Sequence, residues 1–202
     1  MSYARIFWLD DEFDFIGQLL AKGIPLGLDK DNLLARTRFA FDYEMGERIV
    51  KTEPFNLYIL DGDFPLRGSP EYNEQVERFV RSAPIGLDPC EAWEIVPEDK
   101  GFTGPSVNHF AKFYDQNLRT LNQKIVVFSR SSMAPMTAFH MNIPFYSKAL
   151  DTPLIKELVQ DHPKEYLDWL PENYPKRAIK DIDSWETGSM EDLITRFLTK
   201  PY

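Results

Sequence analysis

Five polar side chains in this sequence have the types and the order that divalent-cation and phosphoryl chemistry requires. Asp10 and Asp11 follow the apolar run Arg-Ile-Phe-Trp-Leu, and Asp61 follows Asn-Leu-Tyr-Ile-Leu. Ser129 follows Ile-Val-Val-Phe, and Lys148 follows Ile-Pro-Phe-Tyr-Ser. Adjacent carboxylates facing a third repel one another when bare, and a hard cation such as Mg²⁺ relieves that repulsion through oxygen ligands. Asp61 can then act as a nucleophile towards a phosphoryl donor. Lys148 can pair with a phosphoryl oxygen, and the Ser129 hydroxyl can turn to the same group.

These side chains meet only if the runs before them are parallel strands whose carboxyl ends share one sheet edge. The first run is apolar on both faces, as a central parallel strand must be. Phe13, Ile16, Leu19 and Leu20 then recur at helical spacing until Gly23-Ile24-Pro25 stops the helix. A second strand is expected over residues 34–41, with Asp42 capping a short helix that runs to Thr52. Residues 56–60 form the third strand, 125–128 the fourth and 144–147 the fifth. Ser106 can cap a helix carrying Phe110, Phe113 and Leu118, and a short helix is expected over 136–141. Further helices are expected over 71–81, 154–160 and 164–170, and a last one is capped by Ser189. Strand–helix alternation of this kind predicts an α/β fold, a doubly wound five-stranded parallel sheet with right-handed crossovers. Ligands in such sheets sit outside the carboxyl ends of the strands, where the strand order reverses.

Composition bounds the rest. The chain has 202 residues, and its 43% apolar share, with 15 Phe, 9 Tyr and 4 Trp, is ample for a packed core. A net charge of −9 argues against a general nucleic-acid surface, which needs a basic face. With Cys90 as the single cysteine, an internal disulfide is excluded. No apolar run approaches the ~18 residues of a membrane helix, and the sequence opens on a strand-like run without a secretory leader. A cytoplasmic protein with no membrane partner is expected. His109, His140 and His162 are scattered and form no metal-spaced pair.

The order Asp10-Asp11, Asp61 with Pro65 four residues on, Ser129, then Lys148 resembles the response-regulator receiver domain of two-component signalling. The segments that carry the likeness are Ile-Phe-Trp-Leu-Asp-Asp-Glu, Leu-Tyr-Ile-Leu-Asp-Gly-Asp-Phe-Pro, Val-Val-Phe-Ser-Arg and Phe-Tyr-Ser-Lys. The resemblance implies a flavodoxin-like sheet of order 2-1-3-4-5. It implies Asp61 as phosphoacceptor, and Asp10, Asp11 and Asp61 as Mg²⁺ ligands with the backbone carbonyl of Asp63. Ser129 and Lys148 would then read the phosphoryl group, and Phe145 occupies the aromatic switch position. A histidine kinase or phosphotransfer protein is the implied donor, in a phosphorelay. With no recognisable output domain, the output would pass through contact with an unidentified protein partner.

On this reading residues 1–160 form the receiver-like domain, with an irregular insertion over 66–104, and 161–202 a helical extension. Asp61 and Ser129 stand 68 positions apart (129 − 61), more than a helix and two loops need. Ala149 follows Lys148, where receivers usually carry Pro, and the fourth helix is short. Two other readings stay open. A haloacid-dehalogenase-like phosphohydrolase would use Asp61 as nucleophile and Asp63 as acid/base, with Asp181 or Asp183 as a late metal acid. A receiver-fold binding module would signal without phosphorylation.

Overall fold

The computed structural model of the chain describes residues 5–12, 14–62, 64, 109–130, 134–150, 152–161 and 181–199. The expected helices over 71–81 and 164–170, the insertion over 66–104, Asp63 and Ser106 lie outside the described residues.

Strand β1 (Ile6–Leu9) leads into helix α1 (Asp14–Gly23), which ends in a 3-10 turn, Ile24–Leu26. Gly27 closes that turn at φ 89°, a left-handed conformation that glycine adopts without a Cβ penalty. Helix α2 (Lys30–Arg36) comes next, and it corrects the expected second strand. Asp29 accepts from the Asn32 backbone N–H and caps it, so Leu34–Arg36 are helical and β2 is only Thr37–Ala40. Asp42 caps α3 (Tyr43–Thr52) as expected, accepting from the Met45 N–H at 2.6 Å. Strand β3 is Leu57–Leu60. Helix α4 (His109–Phe113) widens into a π turn over Tyr114–Leu118 before β4 (Lys124–Ser129). Helix α5 (Ala134–Met141), β5 (Phe145–Ser147) and α6 (Thr152–Asp161) complete the expected alternation.

The sheet has six strands where five were expected. Its order is β2-β1-β3-β4-β5-β6, parallel throughout, so the first five keep the expected order 2-1-3-4-5. Strand β6 (Thr187–Ser189) comes from the tail that was expected to be helical, and pairs with β5 through Phe145–Thr187, Tyr146–Gly188 and Ser147–Ser189. Helix α7 (Met190–Leu193), with its π continuation Ile194–Leu198, begins directly after it. Ser189 caps it in a reciprocal box with Asp192.

Side-chain alternation along the strands builds a core on each face of the sheet. Ile6, Trp8, Leu57, Ile59, Val126, Phe128 and Tyr146 face α1, α2 and α7. Phe7, Leu9, Tyr58, Leu60, Val127 and Phe145 face α3, α4, α5 and α6. Both faces being covered explains why the strands read as continuous apolar runs rather than as alternating ones. Helix α5 is buried along its whole length except at His140. Among the described residues, no helix is long and apolar enough to cross a membrane.

Candidate cation and phosphoryl site

The strand order reverses between β1 and β3, and the site residues continue the backbone ladder there. The Asp10 N–H donates to the Ala40 carbonyl at 3.0 Å, and the Asp61 N–H to the Leu9 carbonyl at 2.7 Å. On the next pair of strands the Lys148 N–H donates to the Ser129 carbonyl at 3.0 Å. Asp10, Asp61, Ser129 and Lys148 therefore stand along one edge, fixed by the ladder, and Asp11 follows Asp10 in the bend just beyond it. Asp10, Asp61, Ser129 and Lys148 are buried, and Asp11 is half-buried. Asp63, expected to offer its carbonyl, lies outside the described residues.

Lys148 is the hub. Its Nζ lies 3.0 and 2.9 Å from the two oxygens of Asp10, 2.9 Å from Asp61 Oδ2 and 3.4 Å from Glu12 Oε2. The ammonium also rests near the faces of Phe15 and Phe128, 5.3 and 5.7 Å from their centroids. Ligand oxygens of Asp10, Asp11 and Asp61 all lie within 4.8 Å of one another. A carboxylate-only donor set at this spacing fits a hard divalent cation such as Mg²⁺.

One buried ammonium serves Asp10, Asp61 and Glu12 at once. Burial would pull Lys148 down, but Asp10, Asp61 and Glu12 outweigh it and hold the ammonium far above its ordinary range. Burial pushes the Asp10 carboxyl up to about 7; Lys148 opposes the rise and the neighbouring Asp61 adds to it.

Several contacts could not be read from the strand-end pattern. The Trp8 indole N–H donates to Asp10 Oδ2 at 3.2 Å, and the Glu12 N–H to Asp10 Oδ1 at 2.9 Å, so Asp10 is held in a single orientation. The Gly62 N–H donates to Asp61 Oδ1 at 2.6 Å. A Cβ on Gly62 would fall 2.3 Å from the Ala134 Cβ and 2.9 Å from Ser129 Oγ, so only glycine lets β3, β4 and α5 close around Asp61. Arg130, directly after Ser129, ion-pairs with Glu12. The sequence signal for these contacts was present only as neighbours of the acids and of the serine. Their role depends on cross-strand packing.

Asp181 and Asp183 do not join the site. They precede the amino end of β6, where the Asp181 side chain accepts from the Asp183 N–H and caps a 3-10 turn, Ile182–Ser184. Phe145 is buried, with its ring centroid 6.2 Å from that of Trp185. No protein-family model matches the chain, and no curated protein and no solved structure matches it.

Proposed function

We propose that this chain is a receiver-like signalling protein that accepts a phosphoryl group on Asp61 in a Mg²⁺-dependent step. The observation that carries this reading is the placement of Lys148 between Asp10 and Asp61, beside three clustered carboxylates, where the strand order reverses. Asp10, Asp11 and Asp61 are the residues that would hold Mg²⁺, which when bound supplies positive charge to offset that of the transferring group. A carboxylate oxygen of Asp61 forms the new bond to phosphorus. The bond from phosphorus to the donor's leaving group breaks, and the leaving group departs with the electron pair. Lys148 exchanges its contact with Asp61 for a phosphoryl oxygen, and the Ser129 hydroxyl, set against Gly62, turns to another. The donor is a phosphohistidine protein or a small acyl phosphate, and the output is a protein contact.

The test is intact-mass analysis after incubation with acetyl phosphate, with and without Mg²⁺. A single phosphoryl adduct that needs Mg²⁺ and disappears in Asp61→Asn is expected. Steady release of phosphate from varied phosphomonoesters would replace this reading with a hydrolase. Neither adduct nor turnover in the folded chain would leave a binding module.

A further inference from the structure

We propose that Arg130 receives the anionic phosphodonor at the mouth of the site, with Glu12 as the counter-ion that holds it ready; this rests on the phosphoryl-acceptor reading above. Two cations serve the site's carboxylates among the described residues, and their exposure differs sharply. The Lys148 side chain is 0% exposed, so a donor arriving from solution cannot meet it first. The Arg130 side chain is 65% exposed and follows Ser129 directly in the chain. Glu12, 20% exposed, joins them: Oε1 pairs with Arg130, and Oε2 lies 3.4 Å from Lys148 Nζ. The Glu12 backbone is itself pinned through its N–H to Asp10. One carboxylate is thus the common resting partner of the buried cation and the exposed one.

That arrangement suits a hand-over. An ion pair with a well-exposed arginine is worth little, so exchanging Glu12 for another anion costs little. A guanidinium is a planar fork that matches two phosphoryl oxygens, which a lysine ammonium does not. The ordinary alternative is a surface ion pair without a role. It gives no reason for the same carboxylate to reach the buried lysine.

The experiment uses the full chain at saturating Mg²⁺ and follows the initial rate of adduct formation as acetyl phosphate is varied. Arg130→Ala should raise the half-saturating donor concentration by about fivefold to tenfold while the limiting rate stays within about twofold. Arg130→Lys should recover part of the loss, and added salt should narrow the gap between Arg130→Ala and the parent. Glu12→Gln frees Arg130 and should lower the half-saturating concentration, a gain that vanishes in the Glu12→Gln/Arg130→Ala double variant. A parent that labels while Arg130→Ala labels with the same concentration dependence overturns the role of Arg130 alone. So does a change confined to the limiting rate. A parent that takes no label under any of these conditions overturns the acceptor reading, and this proposal with it. Thermal unfolding of each variant separates loss of fold from loss of capture.

Discussion

Lys148 stabilises the site because three carboxylates share it, and removing it should expose how unfavourable they are together. Its charge is present throughout the ordinary pH range, because the folded protein holds the ammonium far above its usual value. That stabilisation is complete below the unfolded lysine value and is lost only as pH rises through the folded one. Lys148→Met at neutral pH leaves Asp10 and Asp61 buried without a counter-charge, a change that costs about 3–5 kcal/mol. Thermal melts in chelator should show the variant well below the parent. MgCl₂ should raise the variant's midpoint more than the parent's, whereas NaCl of equal ionic strength should not. Equal shifts in the two proteins would mean that Lys148 and the cation do not answer the same charges. The site's main acids, its serine and its lysine were legible in the sequence, because each polar residue ends an apolar run. Trp8, Glu12, Gly62 and Arg130 were not, because their importance comes from what a neighbouring strand or turn brings within reach.

At the scale of elements, the seam between β5 and β6 is the feature that the sequence hid. Thr-Gly-Ser is too short and too polar to announce a strand, and it is ordered by pairing with β5 and by leading straight into the capped helix α7. Gly188 admits the Tyr146 ring, which a Cβ there would meet at 2.7 Å. Glu186, just before the strand, accepts from Tyr146 at 2.6 Å and from Lys124 at 2.8 Å, tying β4, β5 and β6 together. Burial alone would raise the Glu186 carboxyl. The hydrogen bonds from Lys124 and Tyr146, with the charges of Lys124 and Arg196, outweigh burial and hold it below its ordinary value. A depressed carboxylate contributes stability above its unfolded value of 4.5, and loses it as pH falls through the lower folded one. Glu186→Gln should therefore cost about 1 kcal/mol at pH 7, with screening by the half-open surface taken into account. The gap between variant and parent should close in acid, as read by urea titrations across the pH range. A gap that does not change with pH would locate the effect in packing instead. The start of β2 was misplaced for a local reason: residues 34–36 are Leu-Ala-Arg, good helix formers, and the Asp29 cap and the buried Leu33 commit them to α2.

For the whole molecule, the tail is part of the fold that carries the site. Trp185, Met190, Leu193, Ile194 and Leu198 are buried in the cores on the two faces of the sheet. The Trp185 indole donates to the Ile143 carbonyl at 2.8 Å, and Arg36 donates to the Leu198 carbonyl at 2.6 Å. Each large apolar side chain contributes about 1.5–3 kcal/mol on burial, so five approach the entire stability of an ordinary domain. A chain ending at residue 180 should lose cooperative unfolding in urea, followed by far-ultraviolet circular dichroism. Retention of the parent's midpoint would make the tail a separable appendage. The alternation of strands and the edge that bears the site came from apolar runs and caps, and the order of the first five from the resemblance to receiver domains, whereas the sixth strand needed the assembled sheet to be seen. With the fold assembled, the proposed chemistry centres on one group, the Asp61 carboxylate, which accepts from Lys148 and from the Gly62 N–H. The most direct measurement is borohydride reduction of acetyl phosphate-treated protein, which converts an aspartyl phosphate to homoserine, and then peptide mapping. Homoserine at position 61, formed only when Mg²⁺ was present and at no other aspartate, is the predicted result. Conversion at another position, or none at 61 in the folded protein with Mg²⁺ and donor in excess, would contradict it.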